Sequence, residues 1–287
     1  MMTQTMIAPE TLEDALAAMH AEPGSMALAG GATLVAMMNA GLVEPDSLVA
    51  LRHVDTLRGT RQLDDGGIEL GAMRRHRETA LETPFKDGQT VLSHAASQIA
   101  NPTVRNMGTL GGSIAFSDPG ADYPAALVAA NATILIAGAT GTREVAAEAF
   151  FVDWYTTALE AGELVAGVRV PAAPVGSIGR YEKLARIAGD FAMASVALQV
   201  TWSGDSIAAA RIAIGGCGPT PLHLAEADDM LIGFGADSEA LGKAGLLLAQ
   251  AADPVDDVRA SADYRRKVIP RLLAKAMREI APAREAA

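Results

Sequence analysis

The stretch Ala29-Gly30-Gly31-Ala32-Thr33 decides how the first part of the chain folds. It follows an apolar run at residues 26–29, which predicts a strand, and precedes residues 34–40, which predict a helix. The remaining elements of a βαβαβ unit are predicted on either side, at residues 5–8, 9–20 and 47–51. Glycines at such a junction satisfy a tight turn that needs positive φ, or let backbone N–H groups approach a phosphate. The residues of this loop alone leave both interpretations open.

A second glycine-rich stretch, Gly108-Thr109-Leu110-Gly111-Gly112-Ser113, follows a predicted break at Asn101-Pro102. It also ends in a small hydroxyl residue, so two flexible loops about 80 residues apart are predicted to close on a diphosphate. Asp122 follows in an Asp-rich turn, where its carboxylate can accept hydrogen bonds from ribose hydroxyls. The alternative is that Asp122 caps the helix that begins near Tyr123-Pro124.

Composition and charge exclude several classes of protein. The 287 residues include 23 basic and 34 acidic ones, and the net charge of −11 disfavours nucleic-acid binding. The short run Arg74-Arg75-His76-Arg77 is interpreted as a solvated or interfacial cluster. One cysteine, Cys217, excludes a four-cysteine iron–sulfur or zinc site on this chain, and we interpret it as a structural residue. The five histidines are scattered along the sequence, so we predict no metal site. We expect no membrane span and no secretory signal, hence a soluble, cytoplasmic protein.

The rest of the chain mixes strands and helices without strict alternation, which favours the α+β class. Before a proline-rich boundary at residues 171–174, elements are predicted at residues 68–72, 91–99, 125–130, 133–137 and 163–170. Beyond it, three antiparallel strands and a basic amphipathic helix are predicted, at residues 180–187, 192–202, 207–214 and 263–280.

Taken in order, these motifs resemble the FAD-binding medium subunits of the molybdenum hydroxylases, the xanthine dehydrogenase and carbon monoxide dehydrogenase group. The resemblance runs from end to end, and the stretches that carry it are residues 29–33, 48–52, 99–113, 118–124, 181–192 and 215–221. Two departures are mild. Ala32 stands where the family often has a polar residue, and Ser113 stands where it often has Asn.

The resemblance implies a fold of the vanillyl-alcohol-oxidase type. Two FAD-binding subdomains are expected at residues 1–58 and 59–174, followed by a C-terminal α+β domain at residues 175–287 with a three-stranded antiparallel sheet and helices.

The resemblance also implies a set of cofactor-binding residues and no catalytic or metal-binding residue on this chain. The two glycine stretches would hold the pyrophosphate, Asp122 would contact the ribose or adenosine side, and Leu164, Lys183 and Phe191 would border the isoalloxazine. The full set is Ala29, Gly30, Gly31, Ala32, Thr33, Leu34, Ile99, Ala100, Asn101, Thr109, Gly111, Gly112, Ser113, Asp122, Leu164, Lys183 and Phe191. The residues themselves leave alternatives open, because Lys183 is also typical of a surface lysine, and Leu164 and Phe191 of core positions.

In the enzymes that this chain resembles, a large subunit carries a molybdopterin-type Mo cofactor and a small subunit carries two [2Fe–2S] clusters. Electrons then reach FAD on the medium subunit and leave to an external acceptor. The resemblance implies a dimer of heterotrimers. A chain with one cysteine cannot hold the clusters, so this chain would be the subunit from which the electrons leave. The alternatives are a free-standing flavin oxidase and a non-catalytic nucleotide-binding assembly protein.

Overall fold

The computed structural model describes residues 5–22, 24–82, 84–236 and 238–282. Its first part is a small parallel unit made of β1 (Thr5–Ile7), α1 (Leu12–Ala21), β2 (Ser25–Leu28), α2 (Leu34–Asn39) and β3 (Ser47–Ala50). The fully buried β3 lies in the middle and pairs in parallel with both other strands. Helix α1 begins later than predicted, because the Thr11 side chain accepts a hydrogen bond from the Asp14 N–H and caps it. The predicted βαβαβ unit is otherwise confirmed.

The middle of the chain forms an antiparallel sheet with helices packed against it. Its elements are β4 (Thr60–Gln62), β5 (Ile68–Gly71), α3 (His76–Leu81), α4 (Thr90–Ser97), α5 (Pro102–Met107), α6 (Leu110–Phe116), α7 (Asp122–Ala129), β6 (Thr133–Gly138), β7 (Gly141–Ala146), α8 (Ala147–Phe150), β8 (Phe151–Asp153), β9 (Thr156–Thr157) and β10 (Leu164–Val170). Five strands form this sheet in the order β4-β5-β10-β6-β7, and β8 pairs separately with β9. Every residue of α7 is buried, so this helix forms the centre of the largest apolar core.

The C-terminal part carries a second antiparallel sheet. Its elements are β11 (Ser177–Leu184), β12 (Ala194–Ser203), β13 (Ser206–Gly215), β14 (Leu222–His223), α9 (Ala225–Asp229), α10 (Glu239–Ala251) and α11 (Ala262–Ile280). The three predicted strands are present, and the two-residue β14 extends their sheet. The first strand ends at Leu184, three residues earlier than predicted, which leaves residues 185–193 to form a loop.

Alternate residues of the C-terminal sheet contribute to two different cores. Ala197 and Ala213 belong to the core around α7, whereas Val196, Leu198 and Ile212 pack with residues of α10 and α11. This alternation is the expected consequence of side chains pointing to opposite faces of a strand. The sheet is therefore covered on both faces, and one face joins it to the middle of the chain. Among the helices of the described ranges, none is long and apolar enough to cross a membrane.

Candidate functional site

A cavity of about 450 Å³ is lined by the parallel unit, the five-stranded sheet and the loop between β11 and β12. This volume lies in the range typical of small-molecule pockets. Most of the predicted site residues line it, namely Ala29, Gly30, Gly31, Ala32, Thr33, Leu34, Ile99, Thr109, Gly111, Gly112, Ser113, Asp122, Leu164 and Phe191. Ala100, Asn101 and Lys183 do not.

The first glycine stretch presents unused backbone donors. Within the described ranges, no acceptor is found for the N–H groups of residues 30–33. Gly31 has a φ of +74°, so the turn does need glycine there. A Cβ on Gly30 would lie 1.9 Å from the Met107 carbonyl oxygen, so the stretch approaches the second one backbone to backbone. Glycine therefore makes the turn, and the turn leaves successive N–H donors without an acceptor among the described residues, an arrangement typical of anion-binding loops.

The second glycine stretch is helical, so the prediction of a flexible loop there is wrong. Thr109 caps α6, and its Oγ1 accepts the Gly112 N–H at 3.2 Å. The two preceding N–H groups also have acceptors within the protein, because Leu110 donates to the Arg74 carbonyl, and Gly111 to the Ala72 carbonyl, at 2.8 Å each. This stretch therefore offers the cavity small side chains and hydroxyls rather than free N–H groups.

Asp122 is held at the cavity wall by two residues of the C-terminal sheet. The Tyr181 hydroxyl donates to Asp122 Oδ1 at 2.7 Å, and Lys183 Nζ lies 2.9 Å from the same oxygen. Lys183 also donates to the Gln98 carbonyl at 2.8 Å, and its side chain is only 4% exposed. Burial raises the pKa of the Asp122 carboxyl, while the Lys183 charge and the hydrogen bonds from Lys183 and Tyr181 oppose that shift.

Two alternatives from the sequence are excluded by this arrangement. Ala121, rather than Asp122, is the N-cap of α7, and the Asp122 side chain is bonded to the C-terminal sheet instead. The interpretation of Lys183 as a surface lysine is likewise wrong, since the side chain is buried. Lys183 reaches the cavity only through Asp122.

The remaining predicted residues occupy different environments. Leu164 is buried and packs in the core of the parallel unit while it also lines the cavity. Phe191 is 43% exposed, so its interpretation as a core residue is wrong. The Asn101 side chain caps α5 by accepting the Val104 N–H at 3.0 Å. Ala100, at a φ of +42°, offers its carbonyl to Arg105, so the side chain of neither Ala100 nor Asn101 reaches the cavity.

His76 is a cavity residue that the sequence did not reveal. It is 5% exposed, and its Nδ1 lies 3.3 Å from the Tyr123 hydroxyl. Burial, with a smaller contribution from the Arg105 charge, lowers the pKa of this imidazole to about 4. Arg74, its neighbour in the basic run, is 3% exposed and pairs with Glu82 at 2.7 Å. The solvated-cluster interpretation is therefore wrong for both residues, and no local signal distinguished them from the exposed Arg75 and Arg77.

Two further observations concern possible metal ligands and the cysteine. Within the described ranges, no group of three or more potential metal-ligating side chains occurs. Cys217 is buried, and burial raises the pKa of its thiol to about 12, which agrees with a structural role.

Family models match almost the whole chain. Residues 2–173 match the FAD binding domain in molybdopterin dehydrogenase, and residues 179–280 match the CO dehydrogenase flavoprotein C-terminal domain. The chain belongs to the FAD-binding medium subunits of the molybdenum hydroxylases. It is accordingly an oxidoreductase subunit with an FAD-binding domain.

Relatives of this medium subunit match over nearly their full length. The glyceraldehyde dehydrogenase medium chain of Sulfolobus acidocaldarius is 33% identical over 95% of this chain and 96% of the relative. The carbon monoxide dehydrogenase medium chain of Afipia carboxidovorans is 35% identical over 94% and 93%.

Solved structures of such subunits have the same fold. A carbon monoxide dehydrogenase structure from Hydrogenophaga pseudoflava matches with a TM-score of 0.92 and 32% identity, covering 97% of this chain and 98% of that one. Quinoline 2-oxidoreductase from Pseudomonas putida 86 matches with a TM-score of 0.91 and 29% identity, covering 97% and 96%. The predicted α+β fold with an FAD-binding domain and a C-terminal domain is thus confirmed.

Proposed function

We propose that this medium subunit holds FAD in the cavity and is the electron-exit stage of a multi-subunit molybdenum hydroxylase. The observation that carries the proposal is the row of free N–H donors at residues 30–33, which borders a cavity of suitable size. Successive free N–H groups form an anion-binding concavity, and the pyrophosphate is the anionic part of FAD.

Each predicted residue has a role in this proposal. Residues 29–34 bind the pyrophosphate, while Thr109, Gly111, Gly112 and Ser113 form the opposite wall. The Asp122 carboxylate accepts from a hydroxyl or N–H group of the cofactor, and Lys183 keeps it in place. Ile99, Leu164 and Phe191 border the flavin ring, and Ala100 and Asn101 support Ile99. FAD, when bound, supplies the electron-transfer chemistry, and the protein positions it and excludes water.

We further propose that the partners are a large subunit with the molybdopterin-type Mo cofactor and a small subunit with two [2Fe–2S] clusters. The names of the relatives as medium chains or FAD subunits support this assembly. A dimer of such heterotrimers and a cytoplasmic location are also part of the proposal. The domain division at residues 1–58, 59–174 and 175–287 is supported by the strands, because each of the larger sheets lies within one of these ranges.

The substrate of the complex is proposed to be set by the large subunit. Relatives similar to this chain carry names as different as glyceraldehyde, carbon monoxide, nicotine and caffeine dehydrogenase or hydroxylase subunits. Medium chains of one fold therefore occur with chemically unrelated substrates. In this proposal the exiting electrons pass to an external acceptor.

Co-purification of the full chain from its own cells tests the proposal. We expect two partner subunits, molybdenum, iron, and about one FAD per chain with flavin absorption near the usual ~450 nm band. A chain without flavin would favour the assembly-protein alternative. Flavin that a small substrate reduces directly, with no partner subunit present, would favour the free-standing oxidase.

A further inference from the structure

An arginine of the C-terminal domain lies over an aromatic ring at the mouth of the cavity. The guanidinium carbon of Arg259 is 5.4 Å from the centroid of the Phe191 ring. Phe191 lines the cavity but remains 43% exposed, and it belongs to none of the three apolar cores found among the described residues. A cation at this distance from an aromatic face attracts it electrostatically.

The backbone that carries Arg259 is fixed in place. The Asp257 carboxylate accepts the Arg259 and Ala260 N–H groups, at 2.8 Å and 3.0 Å, and the Arg265 guanidinium, at 2.6 Å. The buried Arg265 also donates to the Met193 carbonyl at 2.6 Å, and Met193 stands two residues after Phe191. One buried arginine therefore ties the segment of Arg259 to the loop that carries the ring.

A second contact joins the same two segments, through a residue that precedes Phe191 in the chain. Arg186 donates to the Val258 carbonyl at 3.2 Å, directly before Arg259 in the chain. Residues 257–259 are thus attached to the 185–193 loop both before and after Phe191. These contacts hold the backbone at Arg259 next to the loop that carries the ring.

Acidic and aromatic side chains surround Arg259 and favour a positive charge at its position. Asp118 lines the cavity, and its burial raises the pKa of its carboxyl, while the Arg259 charge acts in the opposite direction. Tyr155 lies close enough to Asp118 and Arg259 to interact with both charges, and its ring meets Phe116 edge-on, with the centroids 5.3 Å apart. Aromatic rings and opposite charges therefore converge beside Phe191, and Arg259 contacts this cavity-lining ring without being one of the described residues that line the cavity.

We propose that Arg259 is a positioning residue that holds the Phe191 ring across the mouth and slows the passage of molecules, FAD included, into and out of the cavity. This inference rests on the proposed function. The competing explanation is that Arg259 only pairs with Asp257, 3.5 Å away and partly exposed, as an ordinary surface ion pair.

The test measures the release rate of FAD from the full chain after dilution, followed by the gain in flavin fluorescence. Arg259→Ala is expected to speed release about two- to fivefold, the range that corresponds to an exposed cation–aromatic contact. Arg259→Lys keeps a cation and is expected to stay within about twofold of the wild type. The matched control is Arg271→Ala, an exposed arginine on α11 for which no hydrogen bond or ion pair is found among the described residues.

Phe191→Leu shows whether Arg259 acts through the ring. If it does, Arg259→Ala adds no further increase in a Phe191→Leu background, because the partner is already gone. Additive effects in the double variant would overturn the inference, as would an unchanged release rate in Arg259→Ala or an equal change in Arg271→Ala. A wild-type chain that binds no FAD would instead overturn the proposed function.

Discussion

Replacing Lys183 by Met leaves the Asp122 carboxylate buried without its cation. The side chains of Lys183 and Asp122 are 4% and 6% exposed, and the closest charged atoms are 2.9 Å apart, so little solvent screens the pair. Removing one member of such a pair costs about 3–5 kcal/mol. The Tyr181 hydroxyl, at 2.7 Å, still donates to the carboxylate. We therefore expect a loss near the lower limit, about 3 kcal/mol in the free energy of unfolding.

Urea unfolding of the full chain measures this loss. The control is Lys243→Met, which removes an exposed lysine that pairs with Glu239 at 3.0 Å, and its expected cost is within about 0.5 kcal/mol. Adding Asp122→Asn to Lys183→Met is expected to restore at least about half of the lost stability, because no buried charge remains. A loss below about 1 kcal/mol for Lys183→Met, or no recovery in the double variant, would refute the reasoning.

The same variant has a defined pH dependence. Burial already raises the pKa of Asp122, and removal of the Lys183 charge raises it further. A carboxyl whose pKa is higher in the folded than in the unfolded state favours folding at low pH, and this contribution is lost as pH rises through the folded pKa. The deficit of Lys183→Met should therefore be full at neutral pH and shrink on acidification. A deficit that grows on acidification is incompatible with this account.

Three other variants and one chemical probe test separate parts of the structure. Gly111→Ala should lower the free energy of unfolding by about 1–3 kcal/mol, because the new Cβ would lie 2.5 Å from that of Ala72. Gly112→Ala, where only the Thr109 hydroxyl has to move, should retain more stability, and equal stability losses would contradict this. It should bind FAD more weakly in a titration, because the new Cβ would approach that of Ala29, which also lines the cavity, to 3.6 Å. Hydrogen bonds to Asp228 at 2.8 Å and Glu148 at 3.1 Å raise the pKa of His223. His223→Gln should therefore lower the melting temperature most below the ordinary pKa of 6.5, and the difference should shrink as pH rises through the raised pKa. A difference that is independent of pH would argue against the imidazolium. Cys217, with the pKa of its thiol near 12, should react with a thiol reagent slowly in the native chain and rapidly in urea, and rapid native reaction would show that it is accessible.

The parallel unit could be predicted because its signals are local. Apolar runs of three to four residues are separated by glycine and proline, and each run became a strand or a helix within a few residues of its expected limits. The C-terminal hairpin was equally readable, since Ser203-Gly204-Asp205-Ser206 connects β12 and β13 and Gly204 has a φ of +60°.

Helix α6 could not be predicted, because contacts from elsewhere in the chain stabilise it. Gly111 and Gly112 are poor helix formers, so the local sequence favours a loop. In the folded chain, Gly111 packs against Ala72 and donates to its carbonyl, although the two residues are almost forty positions apart in the sequence. Tertiary packing here outweighs the low intrinsic helix propensity of the two glycines.

The residues of the cavity wall were likewise predictable only in part from the sequence. The glycine stretches and Asp122 were found from motifs, but the partnership of Asp122 with Lys183 joins residues 61 positions apart. His76 was missed because neighbouring arginines suggested a solvated run, whereas the turn into α3 directs His76 and Arg74 inward. Burial of individual residues in a charged run depends on the fold and is not encoded in the run itself.

The cavity wall is drawn from three distant parts of the chain, the parallel unit, the middle region and the 185–193 loop. A ligand that fills the cavity touches all three, and the unfolded chain cannot bind it in that way. Folding is then linked to ligand supply: free ligand at a hundred times its dissociation constant adds about 2.7 kcal/mol to the free energy of unfolding. In a cell short of flavin, the empty subunit would open more often and be degraded sooner. The shape of the wall thus couples the abundance of the subunit to the supply of its cofactor.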